Sequence, residues 1–220
     1  VGHWKIKGEP TAILVDFTSL IPRKDEILKK LWEAYHVDSI SGQWDYIEPV
    51  LFGYAAGAVI ASYVENFCTA TDKIAAHFHE WMTAAGGLYL RRHAPYVATL
   101  FTTHATVMGR CIAGNHLPLY TDLTKFNADE LARQFNVVAK HSIEKAAAAY
   151  HDAFVTVSDI TANECKFLLG REPDCITPNG FENDFVWTGE EYDAKRAEAR
   201  KTMISVAEAC LGEKFAEEPL

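Results

Sequence analysis

Three short motifs common among nucleotide-using and hydrolytic α/β proteins are absent from this 220-residue chain. There is no G-x-G-x-x-G, so no dinucleotide fingerprint. There is no G-x-x-x-x-G-K-[S/T], so no phosphate loop of the Walker type, and no G-x-S-x-G, so no nucleophile elbow. Cysteine is sparse: Cys68, Cys111, Cys165, Cys175 and Cys210 form no C-x-x-C pair, and none sits at a strand end beside a histidine. Scattered thiols of this kind are expected to be reduced and structural, and the cytoplasm is the expected compartment. Positive charge is short as well. Lys and Arg number 21 against 30 Asp and Glu, a formal charge of -9, so no basic stripe marks a general nucleic-acid binder. No histidine pair has the i, i+4 spacing of the helical zinc motif, and no third ligand stands near His77 and His79; no metal and no cofactor is expected. No signal peptide opens the chain. Its longest apolar stretch, Val50 to Tyr63, is interrupted by glycines and reads as too short to span a bilayer, so no membrane partner is expected.

What the chain does have is alternation of strand-like and helix-like segments. Gly2 to Gly8 alternates apolar and basic residues like an exposed strand, and Thr11 to Phe17 is a near-continuous apolar run that predicts a strand covered on both faces. Pro22 to Tyr35 and Asp45 to Glu65 read as helices, the second with Gly53, Ala55, Ala56, Gly57 and Ala58 permitting close packing. Lys73 to Phe78 is a short strand, followed by a helix that carries Gly86-Gly87 and reaches Arg92. A strand from Val97 to Phe101 leads into a helix carrying Met108 and Arg110. Asn115 to Asn127 reads as an irregular loop and Ala128 to Tyr150 as one long amphipathic helix. Then come a strand at Ala153–Val157, a Ser158-Asp159 cap, a helix at Ile160–Leu169, a short strand at Asp174–Thr177 and a charged helix at Glu190–Leu211. Strands alternating with helices over the whole length predict an α/β fold with a mostly parallel sheet.

Four of these strands end in polar residues: His77, His79 and Glu80; Thr102, Thr103 and His104; Ser158 and Asp159; Asn179 and Gly180. In a parallel sheet these ends share one edge, which is where ligands bind in open α/β folds. His77 and His79 are expected to face opposite ways, one of them simply buried. His104 alone is compatible with capping a strand-to-helix turn, and Arg110 alone with a solvated ion pair. Six residues apart across a helix start, both could also reach one ligand. The arginine fork matches phosphate oxygens, the helix N-terminus favours an anion, and the imidazole can bond a hydroxyl.

At these residues the chain resembles glycogen synthases of the animal and fungal type, retaining glycosyltransferases of family 3 with two facing Rossmann-like domains, the GT-B architecture. The resemblance rests on G-H-W-K-I-K-G-E-P at 2–10, A-H-F-H-E-W at 76–81, T-L-F-T-T-H-A-T-V-M-G-R at 99–110, E-K-A-A-A at 144–148, F-V-T-V-S-D-I-T-A-N-E at 154–164 and P-N-G at 178–180. It implies transfer of glucose from UDP-glucose to the non-reducing end of an α-1,4-glucan. It implies His104 against the donor sugar, Arg110 near the diphosphate, and His79, Glu80 and Trp81 lining the same cleft. Asn179 would lie towards a second domain, and the parent would be a homo-oligomer.

The departures matter equally. The family's lysine followed by V-G-G-I-Y is absent, as are its G-R-Y-E-F string and the paired glutamates E-x7-E of the nucleotide-binding domain. Glu190 and Glu198 match that last spacing, but they sit in a charged helix with Arg196 and Arg200, where a solvated face is the expected reading. The chain also begins at Val1. The expectation is therefore an incomplete acceptor-side, N-terminal domain: core residues 1–188 and a charged helical extension, 189–220, leading towards a missing C-terminal domain. Alone it would be inactive. A GT-B transferase using another donor such as ADP-glucose, and a non-catalytic glucan-binding module, are the alternatives.

Overall fold

A computed structural model describes residues 1–181 and 186–215, apart from the side chain of Glu190. Residues 182–185 and 216–220 lie outside the described residues. The described chain forms two compact units, Val1–Pro178 and Asn179–Leu220.

The first unit is α/β, with a four-stranded parallel sheet flanked by helices in the Rossmann-like manner. A two-residue antiparallel pair, β1 (Gly2–His3) and β2 (Thr11–Ala12), opens the chain. After a 3-10 turn (Thr18–Arg23) come α1 (Lys24–Tyr35) and α2 (Trp44–Phe67). The sheet is built from β3 (Ala75–His79), β4 (Ala98–Thr103), β5 (Ala153–Thr156) and β6 (Cys175–Ile176), paired in that order and all parallel. Between strands run α3 (Glu80–His93), α4 (Val107–Gly114), the short α5 (Leu119–Asp122), α6 (Ala128–Gln134), α7 (Val138–Tyr150) and α8 (Asp159–Glu164), which continues as a π-helical turn over Cys165–Leu169. The second unit holds α9 (Glu190–Leu211), an exposed helix in which Lys195 pairs with Glu198.

Register places the core. Phe78 lies opposite Phe101, and Phe101 opposite Phe154, so one phenylalanine from each of three strands meets the same sheet face. All three are buried, a burial worth about 1.5–3 kcal/mol each. His151, nearly fully buried, packs its ring against Phe78 and Phe101 and directs Nδ1 to the Ala147 carbonyl at 2.8 Å. Burial pushes its pKa down to about 4, so the ring is neutral at pH 7 and only one nitrogen carries a proton. Over this face lies α3, and α2 lies on α3. The glycines predicted to allow close packing do so: a side chain on Gly57 would come within 2.5 Å of the Gly86 carbonyl oxygen.

Four expectations are corrected. Thr11–Phe17 is not a doubly covered strand; only Thr11–Ala12 pairs, and Ile13 and Leu14 are exposed. An apolar run needs a neighbour to become a strand, and its partner offers two residues. The glycines do not break Val50–Tyr63. By length and composition α2, at 24 residues, is long and apolar enough to cross a membrane; it buries Tyr46, Val50, Leu51, Ala55 and Val64 in the core. Ala128–Tyr150 is two helices, because Asn136 adopts φ 55°, a left-handed conformation that stops α6 before β-branched Val137 and Val138 restart the chain as α7. The loop from Asn115 to Asn127 contains helix after all: α5 starts behind Pro118 and a 3-10 turn follows at Leu123–Lys125, with Leu119 and Leu123 as buried anchors.

The glycine at position 87 marks the tightest point of the core. A methyl group there would lie 1.8 Å from His151 Nε2, on a ring held between two phenylalanines. Alanine gains up to about 1 kcal/mol of helix propensity, but overpacking a fixed neighbour costs about 1–3 kcal/mol. Gly87→Ala is expected to lower the urea midpoint of unfolding; an unchanged or raised midpoint would mean the ring moves freely.

Candidate active site

Parallel pairing brings the carboxyl ends of the strands to one edge, and at that edge three histidines meet. His77 and His79 are on the same face of β3, not on opposite faces: residues two apart in a strand share a side. Their rings lie 4.0 Å apart between centroids, and both are exposed where Phe78 between them is buried. The His77 Nε2 atom is 2.7 Å from Thr102 Oγ1, and His79 Nδ1 is 3.1 Å from His104 Nε2. Partial burial lowers the pKa of both His77 and His79; repulsion by His104 adds to it for each, and for His77 the charge of His79 acts too. Neutral imidazoles are thereby favoured, each able to donate one hydrogen bond and accept another.

Glu80 joins this cluster to Arg110. Its backbone has φ 63°, a left-handed conformation that costs a side-chain-bearing residue about 1–2 kcal/mol. The twist at the β3–α3 corner lets its Oε1 accept the His104 amide hydrogen at 2.9 Å and stand 3.8 Å from Arg110 Nη2. The side chain of Glu80 is 14% exposed and that of Arg110 64%, so a largely buried carboxylate stands beside one terminal nitrogen of a guanidinium that is otherwise open to solvent. His79, Glu80, His104 and Arg110 are therefore one connected group. Trp81, next in the chain, stacks on buried Tyr46 with planes 15° apart and lies 5.4 Å beneath the Lys140 ammonium. Asn179 is exposed and opens the second unit.

The start of α4 is capped from within. Thr106 Oγ1 accepts the Gly109 amide hydrogen and donates to Glu164 Oε2, at 2.9 and 2.8 Å. Tyr120 donates to the other oxygen of Glu164 at 3.2 Å. The Val107 amide is taken by Glu144. With the Val107 and Gly109 amides committed, the exposed Arg110 guanidinium is a cationic group that α4 presents to an anion. Met108 and Ile112, on the opposite side of α4, pack into a second apolar cluster with Leu119, Leu123, Ala128, Ala132 and Leu168.

Glu144 and Glu164, both buried, were not picked out by motif spacing. The usable signal was a carboxylate on a core stripe: Glu144 stands at the helical spacing of buried Ala147 and Ala148, and Glu164 at that of buried Thr161 and Leu168. Among the described residues, no group of three or more His, Cys, Asp or Glu is placed to hold a metal ion. All five cysteines are free; Cys165 is buried, and Cys175 and Cys210 are exposed.

The cap leaves no room at position 109, where a methyl group would lie 2.2 Å from Glu164 Oε2 and 2.7 Å from Thr106 Oγ1. Gly109→Ala is expected to break the Thr106–Glu164 bond and destabilise the domain by about 1–3 kcal/mol, measured by denaturant unfolding. Wild-type stability would show that the cap is dispensable.

The glycogen synthase family model matches residues 1–204. Glycogen [starch] synthase of Dictyostelium discoideum is 34% identical over 183 residues, 83% of this chain and 20% of that protein. Isoform 2 of Saccharomyces cerevisiae is 35% identical over 181 residues, covering 81% and 25%. The liver protein of Rattus norvegicus is 33% identical over 181 residues, with the same coverage. The chain thus spans between a fifth and a quarter of the length of these relatives. With the family model matching residues 1–204 of the 220 in this chain, and a parallel α/β sheet carrying the histidine edge, the chain belongs to the glycogen synthase family.

Proposed function

We propose that this chain supplies the acceptor-side half of a retaining glycosyltransferase that moves glucose from UDP-glucose to the non-reducing end of an α-1,4-glucan. One observation carries the reading: His79, Glu80, His104 and Arg110, from two strand ends and one helix, form a connected polar group at the sheet edge. In the reaction the bond between the glucose anomeric carbon and the diphosphate oxygen breaks, a bond from that carbon to the acceptor hydroxyl oxygen forms with the anomeric configuration kept, and the hydroxyl proton passes to the departing diphosphate. Negative charge grows on the departing diphosphate. Arg110, anchored at Glu80 and open to solvent, is suited to neutralise it. His104, whose ring is tied to His79, bonds the hydroxyls of the donor sugar and stabilises the positive character of its transition state. His79, Glu80 and Trp81 form the wall of the acceptor cleft, Trp81 braced by Tyr46, and Asn179 approaches the nucleotide-binding half. Residues 1–188 are the core of this half-site, and 189–220 lead towards the other. The parent works in the cytoplasm as a homo-oligomer; the relatives' name, glycogen [starch] synthase, supports the substrate class.

Half of a donor site does not turn over. Incubated with UDP-glucose and glycogen, the chain is expected to transfer no glucose, and measurable turnover would contradict the half-site reading. A chimera carrying this chain in place of the matching segment of the Saccharomyces relative is expected to be active, with UDP-glucose preferred over ADP-glucose in competition. In it, His104→Ala should lower kcat by about two orders of magnitude, and Arg110→Ala should chiefly raise KM for the donor. Normal kinetics in both variants would return these residues to a structural role.

A further inference from the structure

Glu144 has no exposed surface, and no cation stands among the groups that shift its carboxyl. Burying such a group is costly unless it makes hydrogen bonds worth having. Its two oxygens reach opposite ends of one short segment. Oε1 accepts the Thr103 hydroxyl at 2.9 Å, and Oε2 accepts the Val107 amide hydrogen at 2.9 Å. Thr103 is the last residue of β4, Val107 the first of α4, and His104 lies between them. The strand end is fixed a second time by Thr156, whose hydroxyl donates to the Thr103 carbonyl at 2.8 Å. A planar carboxyl with both oxygens engaged sets the distance between strand end and helix start, and with it the path of the backbone that carries His104.

We propose that Glu144 is a positioning residue for His104: one buried carboxyl on α7 clamps the two ends of the His104 turn, and its reach, not its charge, does the work. The functional half of this inference rests on the reading of His104 as the group that meets the donor sugar. Its structural half does not. Burial, with Glu80 and Glu164 nearby, raises the carboxyl's pKa to about 8, against the opposing pull of the two hydrogen bonds. The neutral acid still closes both bridges. Its carbonyl oxygen accepts from Val107, and its hydroxyl donates to Thr103 Oγ1, whose own proton turns to the Ala105 carbonyl 3.4 Å away. A glutamine amide has the same reach and the same pattern of one acceptor and one donor. An aspartate keeps the acid but is one methylene too short to hold both ends.

The test is made on the isotopically labelled chain by NMR, reading the His104 ring nitrogens and the amide exchange of His104 and Val107 against Phe154 in the core. Glu144→Gln is expected to keep wild-type ring signals and exchange. Glu144→Asp and Glu144→Ala should shift the ring signals and speed exchange at His104 and Val107 by about ten-fold or more, with Phe154 unchanged. If the alanine variant does not fold, Thr103→Val, which removes one bridge at constant volume, carries the same expectation. Unchanged His104 signals in the aspartate or Thr103→Val variant would overturn the clamp. So would a glutamine variant as disturbed as the aspartate one, since charge would then be what matters. In the active chimera, Glu144→Asp should lower kcat with KM for the donor unchanged, and Glu144→Gln should restore it; wild-type kcat in the aspartate variant would overturn the link to catalysis. A chimera inactive with every residue wild-type counts against the proposed function alone, because the NMR result is read without substrate.

Discussion

The strand β4 is paired along both edges, with β3 on one side and β5 on the other. The chain that leaves its carboxyl end therefore turns inside the protein, and Thr102, Thr103, Thr106 and the Val107 amide lose access to bulk water. Polar groups so placed must find partners within the fold or cost the full price of desolvation. His77 partners Thr102. Three carboxyl groups from different elements meet the rest of the turn: Glu80 at the start of α3 takes the His104 amide, Glu144 on α7 takes Thr103 and the Val107 amide, and Glu164 at the end of α8 takes Thr106. The restriction to glycine at position 109 and the left-handed backbone at Glu80 both accompany the supply of those partners.

The same arrangement separates two electrical environments within one turn. Beneath it, Glu144 is held towards its neutral form by burial. Above it, His77 and His79 are biased towards neutrality by partial burial and by their mutual proximity with His104. Arg110 projects from the outer side of α4 into solvent, with Glu80 beside its guanidinium. A net acidic protein thus presents a local cation near two imidazoles, His77 and His79, biased towards neutrality at the sheet edge, an arrangement suited to an anionic leaving group next to sugar hydroxyls.

Much of the architecture was legible because its cause is local. The apolar spacing of Ile27, Leu28, Leu31 and Trp32 made α1, the run before His104 made β4, and Ser158 followed by Asp159 marked the start of α8, where Ser158 Oγ accepts the Thr161 amide hydrogen. The misreadings had separate causes. Thr11–Phe17 found a partner strand of only two residues. The dip at Asn136 depends on one backbone torsion that helical periodicity does not register. His77 and His79 share a face because the strand period is two, so that error lay in the geometry applied and not in the residues.

The sequence by itself determined the α/β class, the alternation of the main strands and helices, and the histidines at the strand ends with the arginine on the helix that follows, since periodicity and residue chemistry are carried by neighbours along the chain. Only the tertiary structure decided that Glu80 joins His104 to Arg110, that Trp81 stacks on Tyr46, and that Glu144 and Glu164 hold the turn from below. These pairs are far apart in sequence, as in the 58 positions between Thr106 and Glu164. No local pattern records which partner will arrive, because the parallel sheet sets that choice only once its strands are in register.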